Sequence, residues 1–486
     1  MAGKFVRSSK FRHVFGTSAK AEQQFTFIRG VNDGTTDGHI CAVNPKFVAL
    51  ATKPQGGGAF LVFKINEPSR VDPDHPQVRG HKGKVLDLAW NPFDDNIIAS
   101  GDEYAAVYLW NIPDEGLDPE KDIEPMLKLD YHQKKIVKLM WHPTAENILL
   151  TSAQDCKILI WNLESASVIT EVSLPDMPFG VAFDFSGGRF AVTAKDKKIR
   201  VFDSHSGEMT KEWDGHEGSK PQMVTFVKQG IFTTGFDKMS ARQFALWDEK
   251  TGKNLELDEI DQSNGVNVIT YDRDTGMIYL AAKGDSVIRY YEVTDEAPYV
   301  FWLSSFQEKP QTFAAAMPKR GCDVNQNEVM RFYRIEKSSK GNTNHFVVIP
   351  TAMTVPRKSD LFQDDLFPDT PGYEASLTAE QWEAGQTKDP ILISLKTGFK
   401  TKTKEVRVGK TVNKVSGFTK KAQTGGAGAP AASAASSTEL KGLQDEIKSL
   451  KSTVKSQDDQ IKENRSKIEE LESKLDDLVA KMGSSD

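Results

Sequence analysis

YHQKKIVKLMWHPTAENILLTSAQDCKILIWNL, residues 131–163, decides the fold. Its three short apolar runs, IVKLMW, NILLTS and KILIWN, are separated by the turn signals HPTAE and AQDC. That is the pattern of three antiparallel strands. His132, Thr151 or Ser152, Asp155 and Trp161 are spaced to form a buried hydrogen-bonded set. A buried His and Asp must find partners, and bonded to each other they tie the turn to the loop that leads into the repeat. No nucleophile accompanies the pair, so the reading is structural rather than catalytic. One such unit cannot bury both faces of its sheet, so copies are required.

Copies recur, with the spacing of WD-type repeats. Segments closing on an aromatic and a polar residue place Phe63, Trp110, Trp161, Phe202, Trp247, Tyr291 and Tyr333 at intervals of 41 to 51 residues, close to the ~40–45 of propeller blades. Gly80-His81, Tyr131-His132 and Gly215-His216 lead into three of them. A turn Asp stands six positions before the aromatic as Asp155, Asp196 and Asp285. It is missing before Trp110, where Tyr104 stands, and displaced before Trp247 in the longer GFDKMSARQ. The expectation is an all-β, seven-bladed propeller over residues 1–355, because closing the ring removes exposed sheet edges. HFVVIPTAMTV follows the seventh repeat, and FRHVFG or FTFIRG is expected to supply the outer strand of that last blade.

Composition agrees with a soluble globular body carrying polar additions: net charge is -6 and 38% of residues are hydrophobic. No apolar run approaches the ~20 residues of a membrane span, and MAGKFVRSSK lacks the apolar core of a signal peptide. Cys41, Cys156 and Cys322 are odd in number and far apart, which points to a reducing compartment. No Cys or His cluster has zinc spacing, and GGGAF (Gly56–Phe60) lacks the Lys-Ser/Thr of a phosphate loop. No cofactor and no enzymatic activity are expected. The acidic balance argues against nucleic acid as a partner.

The C-terminal third changes character. Residues 356–395 are rich in Pro and acids but keep Phe362, Phe367, Tyr373 and Trp382. Disordered segments are poor in aromatics, so this reads as an ordered strap over one propeller face. Thr378 is placed to cap a short helix in LTAEQW. Residues 396–421 carry nine Lys or Arg against one Glu, either a solvated tether or an electrostatic arm. Together with the Gly/Ala/Ser-rich stretch after it they form a flexible, disordered linker over 396–438. Residues 439–482 then show heptads. Leu440, Ile447, Val454, Ile461, Ile468 and Leu475 occupy a; Leu443, Leu450, Gln457, Asn464, Leu471 and Leu478 occupy d. This is a coiled coil, parallel by its g-to-e′ pairs Glu446–Lys451 and Lys467–Glu472.

Several segments make a resemblance specific: SSKFRHVFG (Ser8–Gly16), CAVNPKF (Cys41–Phe47), GGGAFLV (Gly56–Val62), MPKRG (Met317–Gly321) and AMTVPRKSDLFQDDLFP (Ala352–Pro368). Over residues 4–400 and in the plan of its tail, the chain resembles the coronins of the short type, WD-repeat actin-binding proteins. The resemblance implies binding to filamentous actin and engagement of the actin-related-protein branching complex and of cofilin, at the cytoplasmic actin cytoskeleton and cell cortex. It implies that Arg29 in FTFIRG is an actin contact, with the basic residues Arg7, Lys10 and Arg12 beside it. Lys467-Ile468-Glu469-Glu470-Leu471-Glu472 resembles the family's trimer motif with Lys in place of Arg. A trimer is favoured on that ground, although β-branched a with Leu at d suits two strands. The competing reading is a WD-repeat adaptor of a different pathway, since fold does not fix function.

The seam predicts assembly. Ile461→Asp with Ile468→Asp buries two charges at a positions and should release monomers. Multi-angle light scattering checks this, and a monomer for the unmutated chain would refute it.

Overall fold

The structure is a computed structural model that describes residues 9–34, 38–53, 57–338 and 345–400. Arg7, the linker beyond 400 and the heptad seam from Leu440 to Leu478, including Leu450, Val454 and Leu471, lie outside the described residues. Within them, seven antiparallel sheets follow one another around a ring. Six have four strands in chain order, from innermost to outermost. The seventh runs Gln311–Ala316, Glu328–Ser338, His345–Thr354 and then Phe15–Ser18 from the other end of the chain. Phe25–Ile28 also pairs with His345–Thr354. Both expected N-terminal segments therefore join the last blade, at different ends of the same strand. This is the seven-bladed propeller expected from the repeats.

Sequence pattern explains position within a blade. Middle strands such as Ile148–Ala153 are buried at every residue and read as continuous apolar runs. Outermost strands alternate, as in Ser167–Ser173 and Met209–Asp214, and face water on one side. Every blade has a face of apolar side chains too wide for one sheet to cover, so neighbouring blades cover it.

The third blade contains the set read from residues 131–163. Trp161 Nε1 donates to Thr151 Oγ1 at 2.9 Å. His132 Nε2 lies 2.8 Å from the same oxygen, and its Nδ1 lies 3.0 Å from Asp155 Oδ2. Since the indole N–H can only donate, the Thr hydroxyl is free to donate to Nε2, and Nδ1–H then donates to the carboxylate. Burial lowers the His132 pKa despite the facing carboxylate, so the ring is neutral near pH 7. Burial opposes the Asp155 charge, but the Gln133 amide and His132 outweigh it and hold its pKa below the usual value. Of the two hydroxyls open from sequence, Thr151 does this work. Ser152 Oγ is buried with no partner.

Two details differ from the sequence reading. In the second blade the Asp is not missing: Asp102, at the end of its strand, lies 3.1 Å from His81, which with Trp110 shares Ser100. A carboxylate two residues earlier reaches the same imidazole. In the seventh blade Tyr333 lies on the second strand rather than the third, because residues 317–327 form an insertion with two 3-10 turns between the first and second strands. The fifth blade keeps His216 and Trp247 on Thr233 but has no Asp on His216, and elsewhere the turn Asp is held by a buried arginine. Arg200 binds Asp196, and Arg242 binds Asp261 and Asp285.

The strap crosses the face formed by the connections between first and second and between third and fourth strands, here called the lower face. Leu366 and Phe367 are buried beside blades six and seven. Helix α1 (Ala379–Glu383) is capped by Thr378 with Gln381 completing the capping box. It buries Trp382 between His142 and His205, at ring distances of 5.4 and 4.5 Å.

Thr151→Val keeps shape but leaves the Trp161 and His132 nitrogens buried and unpaired. It should lower stability by about 2–4 kcal/mol, from roughly 1–3 per stranded group. Ser152→Ala should change it by less than about 1 kcal/mol. Chemical denaturation of both variants checks this. Equal losses would mean the hydroxyl assignment is wrong.

Candidate functional site

Thr151 and His132 are buried beneath the blade edge, which leaves no access for a substrate. The accessible surfaces are the two faces of the ring. Among the described residues, no group of three or more His, Cys, Asp or Glu could hold a metal ion, and no helix is long and apolar enough to cross a membrane.

The described residues expected to contact actin, Arg29, Lys10 and Arg12, are separated. His345–Thr354 carries Ile28 opposite Phe346 at one end and Phe15 opposite Thr354 at the other. Eight residues of strand span roughly 27 Å at ~3.4 Å each. Arg29 follows Ile28, so it lies on the upper face, formed by the second-to-third-strand turns and the connections between blades. Lys10 and Arg12 precede Phe15 and lie at the lower, strap-bearing end. There Lys10 Nζ donates to the Asp365 carbonyl of the strap.

Local backbone explains how Arg29 is presented. The pairing of Phe25–Ile28 is irregular, and Phe27 adopts a left-handed conformation at φ 62°. Such a conformation is strained for an aromatic residue and persists only where surroundings fix it. Here the Phe27 ring stacks on His345 at 4.6 Å, and the Arg70 guanidinium covers it at 3.9 Å. Gly30 then turns the chain at φ 67°, where a glycine adopts the left-handed region without cost. Its carbonyl accepts from the Lys53 N–H at 2.6 Å. Asp33 pairs with Lys53 at 2.5 Å and with Lys337 at 3.7 Å. Arg29 itself is exposed.

Arg29 does not stand alone. Lys82 and Lys84 lie between blades one and two, Lys134 and Lys135 between two and three, and Lys195 and Lys197 in the fourth blade's turn. All six are exposed on the upper face. They were not singled out from sequence, yet a signal exists: HKGK, HQKK and KDKK repeat beside the leading His or turn Asp. The lower face has the opposite character, because the strap over 356–395 contributes many more carboxylates than cations. The upper loops also carry exposed carboxylates, Asp130, Asp214, Glu217 and Glu308 among them, so their lysines form local clusters rather than a uniformly basic face.

Comparisons with known proteins agree with this geometry. Residues 4–70 match a family described as a domain of unknown function, DUF1899. Residues 75–111 match the WD domain, G-beta repeat, and residues 348–390 match a type of WD40 repeat. The solved WD40 domain of coronin from Toxoplasma gondii is similar at 27% identity and a TM-score of 0.73. The match covers 79% of this chain and 97% of that one. The chain belongs to the coronin family. A chain of a solved mitotic checkpoint complex is also similar, at 13% identity and a TM-score of 0.51, over 74% of this chain and all of that one. That likeness is one of fold alone.

Proposed function

We propose that this coronin is an actin-filament binding and cross-linking scaffold whose propeller binds through its upper face. The observation that carries the reading is the row of exposed basic residues there, Arg29 among them, opposite an acidic strap. Actin filaments are polyanionic, and exposed charges steer such partners and give modest, salt-sensitive affinity. In this reading Arg29 contacts actin, while Lys10 and Arg12 belong with the strap and contribute little. A parallel coiled coil, with a trimer favoured, gathers several heads. The linker lets each find its own subunit, and effective concentration turns weak heads into cross-linking binding. The same scaffold would act with the branching complex and with cofilin at the cytoplasmic cell cortex.

A fragment of residues 1–400 gives the direct test by filament co-sedimentation, because avidity is absent. Arg29→Asp should weaken binding roughly tenfold, about 1.4 kcal/mol, with an unchanged melting curve. Lys10→Asp should leave it within about twofold. Unaltered binding by Arg29→Asp would sink the contact. Failure of the unmutated fragment and the full chain to sediment with filaments would favour the adaptor of a different pathway.

A further inference from the structure

The upper turn of the second blade carries a side chain that the fold does not use. Tyr104 stands six positions before Trp110, where Asp155 and Asp196 stand in the third and fourth blades. In all three turns the next residue is left-handed: Ala105, Cys156 and Lys197 have φ of 73°, 66° and 69°. Asp155 and Asp196 turn back onto His132 and Arg200. In the second blade Asp102 does that work instead. It bonds His81, and its Oδ1 accepts from the Tyr104 and Ala106 N–H groups, both at 2.9 Å. Tyr104 is thereby released. It projects to 67% exposure, and its hydroxyl has no hydrogen-bond partner among the described residues. The fifth blade repeats the exchange. Asp237 accepts from the Ala241 N–H at 2.7 Å, Ser240 is left-handed at φ 68°, and Met239 is 87% exposed. In both blades the aspartate sits two residues earlier and a large apolar side chain takes the tip.

Single exposed apolar residues are ordinary on a protein surface. Tyr104 differs in how firmly it is held. Glu103 donates its N–H to the Lys84 carbonyl and accepts from the Lys84 N–H at Oε1, both at 3.0 Å. Gly83 is buried beneath the Tyr104 ring, and a Cβ there would overlap it. Turn and ring are thus set before any partner arrives, which lowers the entropy cost of association. Lys82 and Lys84 flank Gly83 and are both exposed. Lys84 lies 3.8 Å from Glu103, whereas Lys82 has no ion pair among the described residues.

The same packing runs on to Arg29. Gly58 opens the first blade's strand Gly58–Lys64, and a Cβ on it would overlap the Gly83 carbonyl oxygen. The partner of that strand, Phe47–Thr52, leads into Lys53, whose N–H bonds the Gly30 carbonyl. Residues 29–30, 52–53, 58–59, 83 and 104 therefore form one contiguous ridge across the first two blades, with Arg29 at one end and Tyr104 at the other.

We propose that Tyr104 is the aromatic anchor of the upper face, packing its ring against an apolar recess of the filament while Lys82 beside it meets carboxylates there. The contact rests on filament binding through that face, and it adds to Arg29 an apolar component that charge does not supply. Buried aromatic anchors carry much of an interface's binding energy. Hydroxyl-radical footprinting of the unmutated full-length chain tests it without any substitution, and Tyr104 should lose most of its oxidation when filaments are added. In co-sedimentation of the full-length chain, Tyr104→Ala should weaken binding about tenfold or more with an unchanged melting curve, and Tyr104→Phe should recover most of that loss. Oxidation of Tyr104 indifferent to filaments, or binding unaltered by Tyr104→Ala, would overturn the anchor. Arg29→Asp in the same series keeps the two ideas apart: if it weakens sedimentation while Tyr104→Ala does not, the filament reading stands and the anchor falls. An unmutated chain that fails to sediment with filaments would overturn both.

Discussion

The structure depends on one strand pairing. His345–Thr354 is hydrogen-bonded on one side to Glu328–Ser338 and on the other to Phe15–Ser18 and Phe25–Ile28. Without the N-terminal strands, the last blade would end in a ten-residue edge and the ring in two unjoined blades. The seam is secured by more than backbone. Arg334, 1% exposed, donates to Thr351 Oγ1 at 2.9 Å and Ser18 Oγ at 3.1 Å, and pairs with Glu308 and Glu336. A guanidinium at that depth is tolerated only when its donors are matched, so the seam is specified as well as stabilised. Gly16 sits so close to Phe306 that a Cβ there would come within 2.3 Å of the ring, which leaves no room for another residue at this point of closure.

That pairing also arranges the surface. Because the N-terminal segment runs the length of one strand, it delivers Lys10 and Arg12 to the strap and Arg29 to the opposite face. The chain then continues into the strap from the same strand's far end, so the acidic cover lies on the side away from Arg29. Topology thus puts the acidic strap and Arg29 on opposite faces, and the filament reading draws on that separation.

Much of this was legible in the sequence. The strands of residues 131–163, the His132–Asp155–Trp161 set and the Thr378 cap followed from periodicity and from the need to satisfy buried polar groups. Three things were not. Asp102 was overlooked because the expected spacing was counted along the chain, whereas the constraint acts through space on His81. Tyr333 was assigned to the wrong strand because an 11-residue insertion preserved the repeat length by coincidence. The separation of Arg29 from Lys10 could not be read at all. Nineteen residues apart in a line, they fall at opposite ends of a strand whose register is set by residues more than 300 positions away.

The account's central claim is that the head meets filaments with the face bearing Arg29 and the six lysines, strap outward. A cryo-electron microscopy reconstruction of filaments decorated with the 1–400 fragment tests this most directly. The account predicts density for the blade connections around Lys82, Lys134 and Arg29 against the actin subunits, with Trp382 and its helix on the solvent side. A reconstruction with the strap against the filament would contradict it.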